Sequence, residues 1–253
     1  GLLTTLGKIQ VSSAVTDIGT GTLTIMTQIA ADEFGLPLED VEFCYADSKM
    51  PFAPVQGGSF TTSTVGSAIK AASKALRKKL FKKAQLLKDS PFAKVKLEDS
   101  IFKNGMLMLR SDPHQFIPLQ AIAAANKGNV IKTTNLSVPN ILALKKYSKA
   151  AHSAVFVEVE VDEQWGVVEG ARALTVIAAG KIIHPKTARS QILGGMIWGI
   201  SKALMEETIS DHSLGKYMNQ NLGEYHIPVH ADIHDLDVIF EIQKAATDGN
   251  DKP

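Results

Sequence analysis

With 253 residues, 45% hydrophobic and 21% charged, the chain has an ordinary globular composition and enough length to bury one or two cores. A formal net charge of +1 gives no whole-chain field for nucleic acid or an anionic membrane, and no apolar run approaches the roughly 18 residues of a transmembrane helix. The single cysteine, Cys44, excludes an internal disulfide and any iron–sulfur or zinc centre built on several thiolates; within "VEFCYAD" it reads as a small buried hydrophobe.

The first residues, "GLLTTLGKIQVSSAV", read as the middle of a sheet, so a portion of a longer protein is expected. Residues 8–16 form a strand ending at the turn "DIGTG". Apolar residues at helical spacing (Leu23, Met26, Ile29, Ala30) predict a helix from Thr22 to Phe34, which "GLP" stops. "VEFCYAD" is a second strand, giving a β–turn–α–β opening. A loop rich in Pro and Gly, "SKMPFAPVQGGS", leads into a long helix expected over 62–88 that buries Val65, Ile69, Ala72, Leu76 and Leu80. Lys74, Lys78, Lys79, Lys82 and Lys83 fall mostly off that stripe. Without interleaved aromatic residues to stack bases they read as a solvated face, and no nucleic-acid partner is expected.

Asn104-Gly105 marks a hairpin turn in "IFKNGMLMLR", and "PLQAIAAAN" a short helix. After a polar region over 135–150, "SAVFVEVEVD" alternates Glu158, Glu160 and Asp162 with apolar residues, predicting one wet and one buried face. "GVVEGARALTVIAAG" is its hairpin partner, with the turn near Gln164-Trp165-Gly166. A helix over 188–208, a strand "DVIFEIQ" and a disordered tail complete the chain. The expected class is α+β, with sheet–helix halves at 1–140 and 141–243 and a tail at 244–253.

Three strand-to-helix junctions stand out for chemistry. In "TDIGTGTLT", Gly19 and Gly21 make a turn whose backbone N–H groups at a helix N-terminus suit an anion, although an ordinary tight turn explains them equally well. Thr24 stands where a dinucleotide fingerprint needs a third glycine. In "QGGSFTTSTVGSA", Ser59, Thr61, Thr62, Ser63 and Thr64 are more hydroxyls than one cap requires. In "KIIHPKTARSQILGGMIWG", Pro185 stiffens a turn that Lys186 and Arg189 charge, Thr187 and Ser190 add hydroxyls, and Gln191 both donates and accepts. Gly194, Gly195 and Gly199 weaken the helix behind it by about 1 kcal/mol each against Ala, which close approach to another backbone would offset. Convergence of the three junctions would make a seat for a large phosphate-bearing ligand.

Other candidates are weaker. His226, His230 and His234 are spaced by four, but Pro228 breaks the helix that would align them, so no metal site is expected. Glu206 and Glu207 read as solvated residues within a helix. No Ser/His/Asp arrangement and no catalytic residue can be named.

The stretches "VSSAVTDIGTGTLTIMTQIAADEFGLP", "GGSFTTSTVGSAIKAA", "AHSAVFVEVEVDE", "KIIHPKTARSQILGGMIWGISKALMEET" and "NLGEYHIPVHADIHDLDVIF" occur in family order. Together they resemble the molybdenum-cofactor-binding (large) subunit of the xanthine dehydrogenase and aldehyde oxidase family, notably the bacterial aldehyde oxidoreductases of three subunits. The resemblance implies the molybdenum-cofactor-binding fold and molybdopterin cytosine dinucleotide as cofactor. Ile18, Gly19 and Thr20 would lie against it, where the family often has G-Q-G. Ser59, Thr61 and Thr62 would contact its phosphate or pterin portion. Lys181, Ile182, Ile183, His184, Pro185, Lys186 and Thr187, with Gln191, would hold the dinucleotide end. His184 stands where the family usually has Asn, a departure expected to weaken one cofactor hydrogen bond.

The implied reaction is oxidation of aldehydes or N-heterocycles to acids or hydroxylated products. The implied partners are the remainder of the large subunit, iron–sulfur and flavin subunits, and a small aldehyde or heterocycle. The family's general base is a Glu in a G-x-G-E-x-G motif beyond the strand matching "DVIF", where this chain reads "EIQKAATDGNDKP". The expectation is a cofactor-platform portion that is inactive alone. The alternative is a non-catalytic stand-alone domain of the same fold used for binding or assembly.

Overall fold

The computed structural model describes residues 2–3, 7–126, 130–137 and 150–241. The expected tail over 244–253 lies outside them, as does most of the polar region over 135–150. The chain divides into two compact units, Gly1–Leu144 and Lys145–Pro253.

In the first unit, strands β1 (Leu2–Leu3), β2 (Ile9–Ser12), β3 (Val41–Cys44) and β7 (Ile131–Lys132) form a sheet in the order β3-β2-β1-β7. β2 and β3 pair in parallel, Ile9 opposite Val41 and Ser12 opposite Cys44, so helix α1 (Thr22–Phe34) is a crossover between neighbouring parallel strands. Gly35 ends α1 with φ 58°, and a Cβ there would stand 2.6 Å from the Phe102 carbonyl oxygen, so the glycine serves conformation and close approach together. Helix α2 (Thr61–Gln85) packs on α1.

A three-stranded meander follows, β4 (Ser100–Lys103), β5 (Met106–Leu109) and β6 (Phe116–Pro118). Its first turn has Asn104 and Gly105 both at positive φ, 51° and 70°, as a two-residue hairpin loop of the primed kind requires. Short helix α3 (Leu119–Ala124) precedes β7. Ile9, Met26, Phe34, Leu76, Leu80, Leu107 and Ile122 are fully buried in one shared core.

The contacts between α1 and α2 advance in the same direction along both helices. A Cβ on Gly66 would meet Ile29 Cδ1 at 3.0 Å, and Glu33 pairs with Lys70 and Arg77, each at 3.7 Å. The helices therefore run parallel, with both N-termini at the same end. Part of the lysine row serves the fold: Lys79 Nζ donates to the Lys132 carbonyl at 2.8 Å and Lys83 Nζ to Asn126 Oδ1 at 2.6 Å.

In the second unit, β8 (His152–Asp162) and β9 (Val167–Ala178) form a long antiparallel hairpin with a register shift at Glu158/Val159. β12 (Asp235–Phe240) pairs in parallel with β9, giving the order β12-β9-β8. Helix α4 (Pro185–Leu204) packs on β12 and β9, and β10 (Ser210–Asp211) and β11 (Lys216–Tyr217) form a small ribbon.

Two expectations are corrected here. The helix begins at Pro185 rather than 188 and ends at Leu204 rather than 208, because a Pro at the first helical position is tolerated where its missing N–H would have no partner. β8 has no buried face: Val155, Phe156, Val157, Val159 and Val161 are each more than half exposed. The alternation is present in sequence, but nothing among the described residues covers its apolar side. No helix among the described residues is long and apolar enough to cross a membrane.

Candidate functional site

Asp17 dominates the first junction. Its Oδ1 accepts from the Gly19 N–H at 3.0 Å and the Gly21 N–H at 3.3 Å, and its Oδ2 from the Leu23 N–H at 3.4 Å. The carboxylate thus occupies the entry of α1, where the aligned peptide dipoles favour negative charge. Both glycine N–H groups expected to hold a ligand anion there, with that of Leu23, are already engaged. Ile18 is 64% exposed, Gly19 is open to solvent with φ 97°, and the Thr20 hydroxyl lies 3.2 Å from that of the buried Thr22. This turn presents an apolar side chain and bare backbone.

The second junction has the opposite character. Gly58 and Ser59 are both left-handed, φ 60° and 58°, and the N-cap of α2 is Phe60, which supplies no side-chain cap. Of the five hydroxyls, two turn back on the helix: Ser63 Oγ donates to the Phe60 carbonyl at 2.9 Å, and Thr64 Oγ1 to the Phe60 and Thr61 carbonyls at 3.0 and 3.2 Å. Ser59, Thr61 and Thr62 have no side-chain hydrogen bond among the described residues. An uncapped helix entry with three uncommitted hydroxyls, on two consecutive left-handed residues, suits an anion. Because α1 and α2 run parallel, these residues lie at the same end of the helix pair as Ile18, Gly19 and Thr20.

The third junction belongs to the second unit. His184 is the N-cap of α4: its Nδ1 accepts from the Thr187 N–H at 3.2 Å, and Thr187 Oγ1 donates to the His184 carbonyl at 3.2 Å. An imidazole nitrogen here does the capping work expected of Asn. Lys181 and Lys186 are exposed, without an ion-pair partner among the described residues, and Ile182, Ile183 and Thr187 are half-buried. Arg189 is committed elsewhere, to Asp237 at 2.6 Å, and that guanidinium holds the Asp237 carboxyl below its ordinary range.

Gln191 opens onto an apolar groove of about 500 Å³ between α4 and the sheet, lined also by Val155, Thr175, Gly195 and Gly199. A Cβ on Gly194, Gly195 or Gly199 would meet nothing within 4 Å, so the close approach expected of these glycines is not made among the described residues. The Thr175 hydroxyl in the groove is buried, with no hydrogen-bond partner among the described residues.

Glu206 is the residue that sequence reasoning misplaced. It lies beyond the end of α4, where Ser201 Oγ donates to one carboxylate oxygen at 2.5 Å and Tyr225 OH to the other at 2.7 Å. The Ser201 hydrogen bond, then that of Tyr225, lowers its pKa, and the Tyr225 phenol is raised in turn by Glu206. Cys44 is half-buried, and burial first, then Glu42, pushes its thiol up, which fits an unreactive side chain. Among the described residues no three His, Cys, Asp or Glu side chains gather as a metal site.

Comparison with known proteins places this geometry in a class. The family profile described as molybdopterin cofactor-binding domain matches residues 2–234. The aldehyde oxidoreductase molybdenum-binding subunit PaoC of Escherichia coli K12 is 36% identical over 234 residues, covering 92% of this chain and 30% of that protein. The putative xanthine dehydrogenase molybdenum-binding subunit XdhA of the same organism is 27% identical over 236 residues, covering 92% and 31%.

Among solved structures, quinoline 2-oxidoreductase from Pseudomonas putida 86 superposes with a TM-score of 0.76 at 22% identity, covering 95% of this chain and 30% of its own. Reconstituted CO dehydrogenase from Oligotropha carboxidovorans gives 0.75 at 20%, covering 90% and 28%. These two share the fold. The chain belongs to the molybdenum-cofactor-binding domains of the xanthine dehydrogenase and aldehyde oxidoreductase family. It spans about 30% of the length of the curated relatives it matches.

Proposed function

We propose that this chain is the cofactor-platform portion of a molybdenum hydroxylase large subunit that binds molybdopterin cytosine dinucleotide and serves the oxidation of aldehydes or N-heterocycles. The observation carrying the reading is the contrast between the two helix entries of the first unit. One is filled by Asp17; the other leaves Ser59, Thr61 and Thr62 uncommitted. This donor set fits a phosphorylated pterin. The hydroxyls and free N–H groups of α2 would hold the phosphate, while Ile18 and Gly19 would lie against an uncharged part of the ligand. Lys181, Lys186 and Thr187 would hold the pyrophosphate, and Gln191 a ring edge. The bound group would supply the redox chemistry at molybdenum; the residues of this chain bind and orient it.

No residue here takes the role of general base, and the reading assigns that Glu, and turnover, to the complete subunit. Iron–sulfur and flavin subunits would carry the electrons away. The open groove of the second unit, with its three unpacked glycines and its unpaired Thr175 hydroxyl, is proposed as a seat for the remainder of the subunit.

The test is elemental analysis for molybdenum, with CMP measured after acid hydrolysis, on the purified chain and on the complete subunit. Near-stoichiometric amounts of both in the complete subunit, lost together in a Ser59→Ala/Thr61→Val/Thr62→Val variant, support the reading. Molybdenum without CMP refutes the dinucleotide form. Full loading of the triple variant refutes the assigned residues, and a complete subunit that carries neither refutes the reading in favour of a non-catalytic domain.

A further inference from the structure

Chain segment 13–16, running from the end of β2 into the Asp17 turn, is held against the end of β3 and the loop after it by successive links. The Ser13 N–H donates to the Cys44 carbonyl at 3.1 Å, the Ala14 N–H to Pro51 at 2.8 Å, and the Ala46 N–H to Val15 at 2.8 Å. The last link is a side chain. Gln56 Oε1 accepts from both the Thr16 N–H at 3.1 Å and the Thr16 hydroxyl at 2.6 Å, while its Nε2 donates to the Pro54 carbonyl at 3.0 Å. The carboxamide orientation follows from its partners, since a flipped group would set an NH₂ against the Thr16 N–H.

Position 56 stands two residues before the left-handed Gly58-Ser59 pair, and Thr16 one residue before Asp17. Gln56 therefore spans the interval between the two helix entries. Without it, the loop bearing the exposed Phe52 and Val55 would keep, among the described residues, the backbone links further back and the packing of Ala53 against the core.

We propose that Gln56 is a positioning residue: it fixes the turn Ile18–Thr20 and the donor cluster Ser59, Thr61 and Thr62 in one mutual geometry, so that both faces meet a single ligand together. The proposal rests on the reading that the two turns share the molybdopterin ligand, but the coupling itself is a property of the empty protein. One group must accept twice and donate once, which a carboxamide does. A carboxylate keeps the two acceptor contacts and loses the donor. Leucine keeps the volume and loses all three.

Hydrogen exchange of the chain, followed by mass spectrometry over 13–24 and 54–64, tests the coupling without cofactor. Gln56→Leu is expected to speed exchange about tenfold in both segments at once, the equivalent of losing two or so ordinary hydrogen bonds. Gln56→Glu is expected to return 13–24 to within about twofold of the wild type, because Thr16 keeps its acceptor. A Gln56→Leu effect confined to 54–64, or a Gln56→Glu variant as fast as Gln56→Leu, overturns the proposal. Molybdenum and CMP content in the complete subunit is read in parallel and is expected to fall about tenfold in Gln56→Leu and to recover largely in Gln56→Glu. Exchange speeded in both segments by Gln56→Leu, with a wild-type complete subunit that carries no molybdenum, supports the brace and refutes the cofactor reading alone.

Discussion

Replacing Asp17 by alanine probes the assignment of the two helix entries most directly. The carboxylate accepts from three N–H groups, at 3.0, 3.3 and 3.4 Å, of which Leu23 lies in the first turn of α1, and the N-cap itself, Gly21, has no capping side chain. Losing an N-cap costs about 1 kcal/mol, and losing a negative charge at a helix N-terminus roughly another 0.5 kcal/mol. Asp17→Ala should therefore cost ~1.5 kcal/mol, or a drop of about 3–6 °C in the melting of a unit this size. Asp17→Asn retains the shorter contacts and should cost less than half as much. The variant also uncovers an anion seat that the wild type fills by itself. Inorganic phosphate or sulfate at tens of millimolar should then raise the midpoint of Asp17→Ala more than that of the wild type. Circular dichroism melts with and without phosphate give both numbers. An Asp17→Ala midpoint within 1 °C of wild type, or equal phosphate responses, would show that Asp17 is not what fills this site.

Four further outcomes follow from the same geometry. Ser59→Gly relieves a left-handed non-glycine residue and should stabilise the first unit by about 1 kcal/mol in urea titration, while lowering molybdenum retention through loss of a hydroxyl. His184→Ala should cost about 1 kcal/mol of stability and His184→Asn a few tenths, because Asn restores the cap to Thr187; equal losses would refute the capping role. Gly195→Ala should stabilise the chain alone by up to about 1 kcal/mol, since nothing lies within 4 Å of the added methyl, yet weaken its association with the remainder of a large subunit in a pull-down. The Glu206 pKa is depressed on folding, so its contribution is present above the ordinary value of 4.5 and fades as pH falls through the lower folded value. Hydrogen-exchange protection over 201–225, corrected for the intrinsic rate at each pH, should fall on acidification into that range in the wild type and stay flat in Glu206→Gln.

Local signals were legible where local physics decides. Gly35 stopping α1, Asn104-Gly105 turning the meander and the hydroxyl run ahead of α2 all follow from backbone preference or side-chain chemistry that acts within a few residues. What escaped was set at longer range. The sequence shows five hydroxyls from Ser59 to Thr64, but only the helix geometry separates the two that bond backwards from the three left over. Asp17 stands beside the glycines, and an Asp that hydrogen-bonds the backbone two residues on is a local turn signal that could have marked those N–H groups as engaged. The Thr16–Gln56 link crosses forty residues and has no local signature. The alternation of β8 is a true amphipathic pattern whose second surface is not supplied by the described residues.

That strand has a consequence for handling the protein. β8 is eleven residues long, lies at the edge of its sheet and shows valines and a phenylalanine to solvent, so its free backbone row is a template for another strand. Produced alone, the chain should be limited by self-association through this edge before any limit from unfolding of its first unit. Charged substitutions at Val157 or Val159 would be the direct route to a soluble preparation, and the same changes would disable assembly if that edge is where the rest of the subunit adds its own strand.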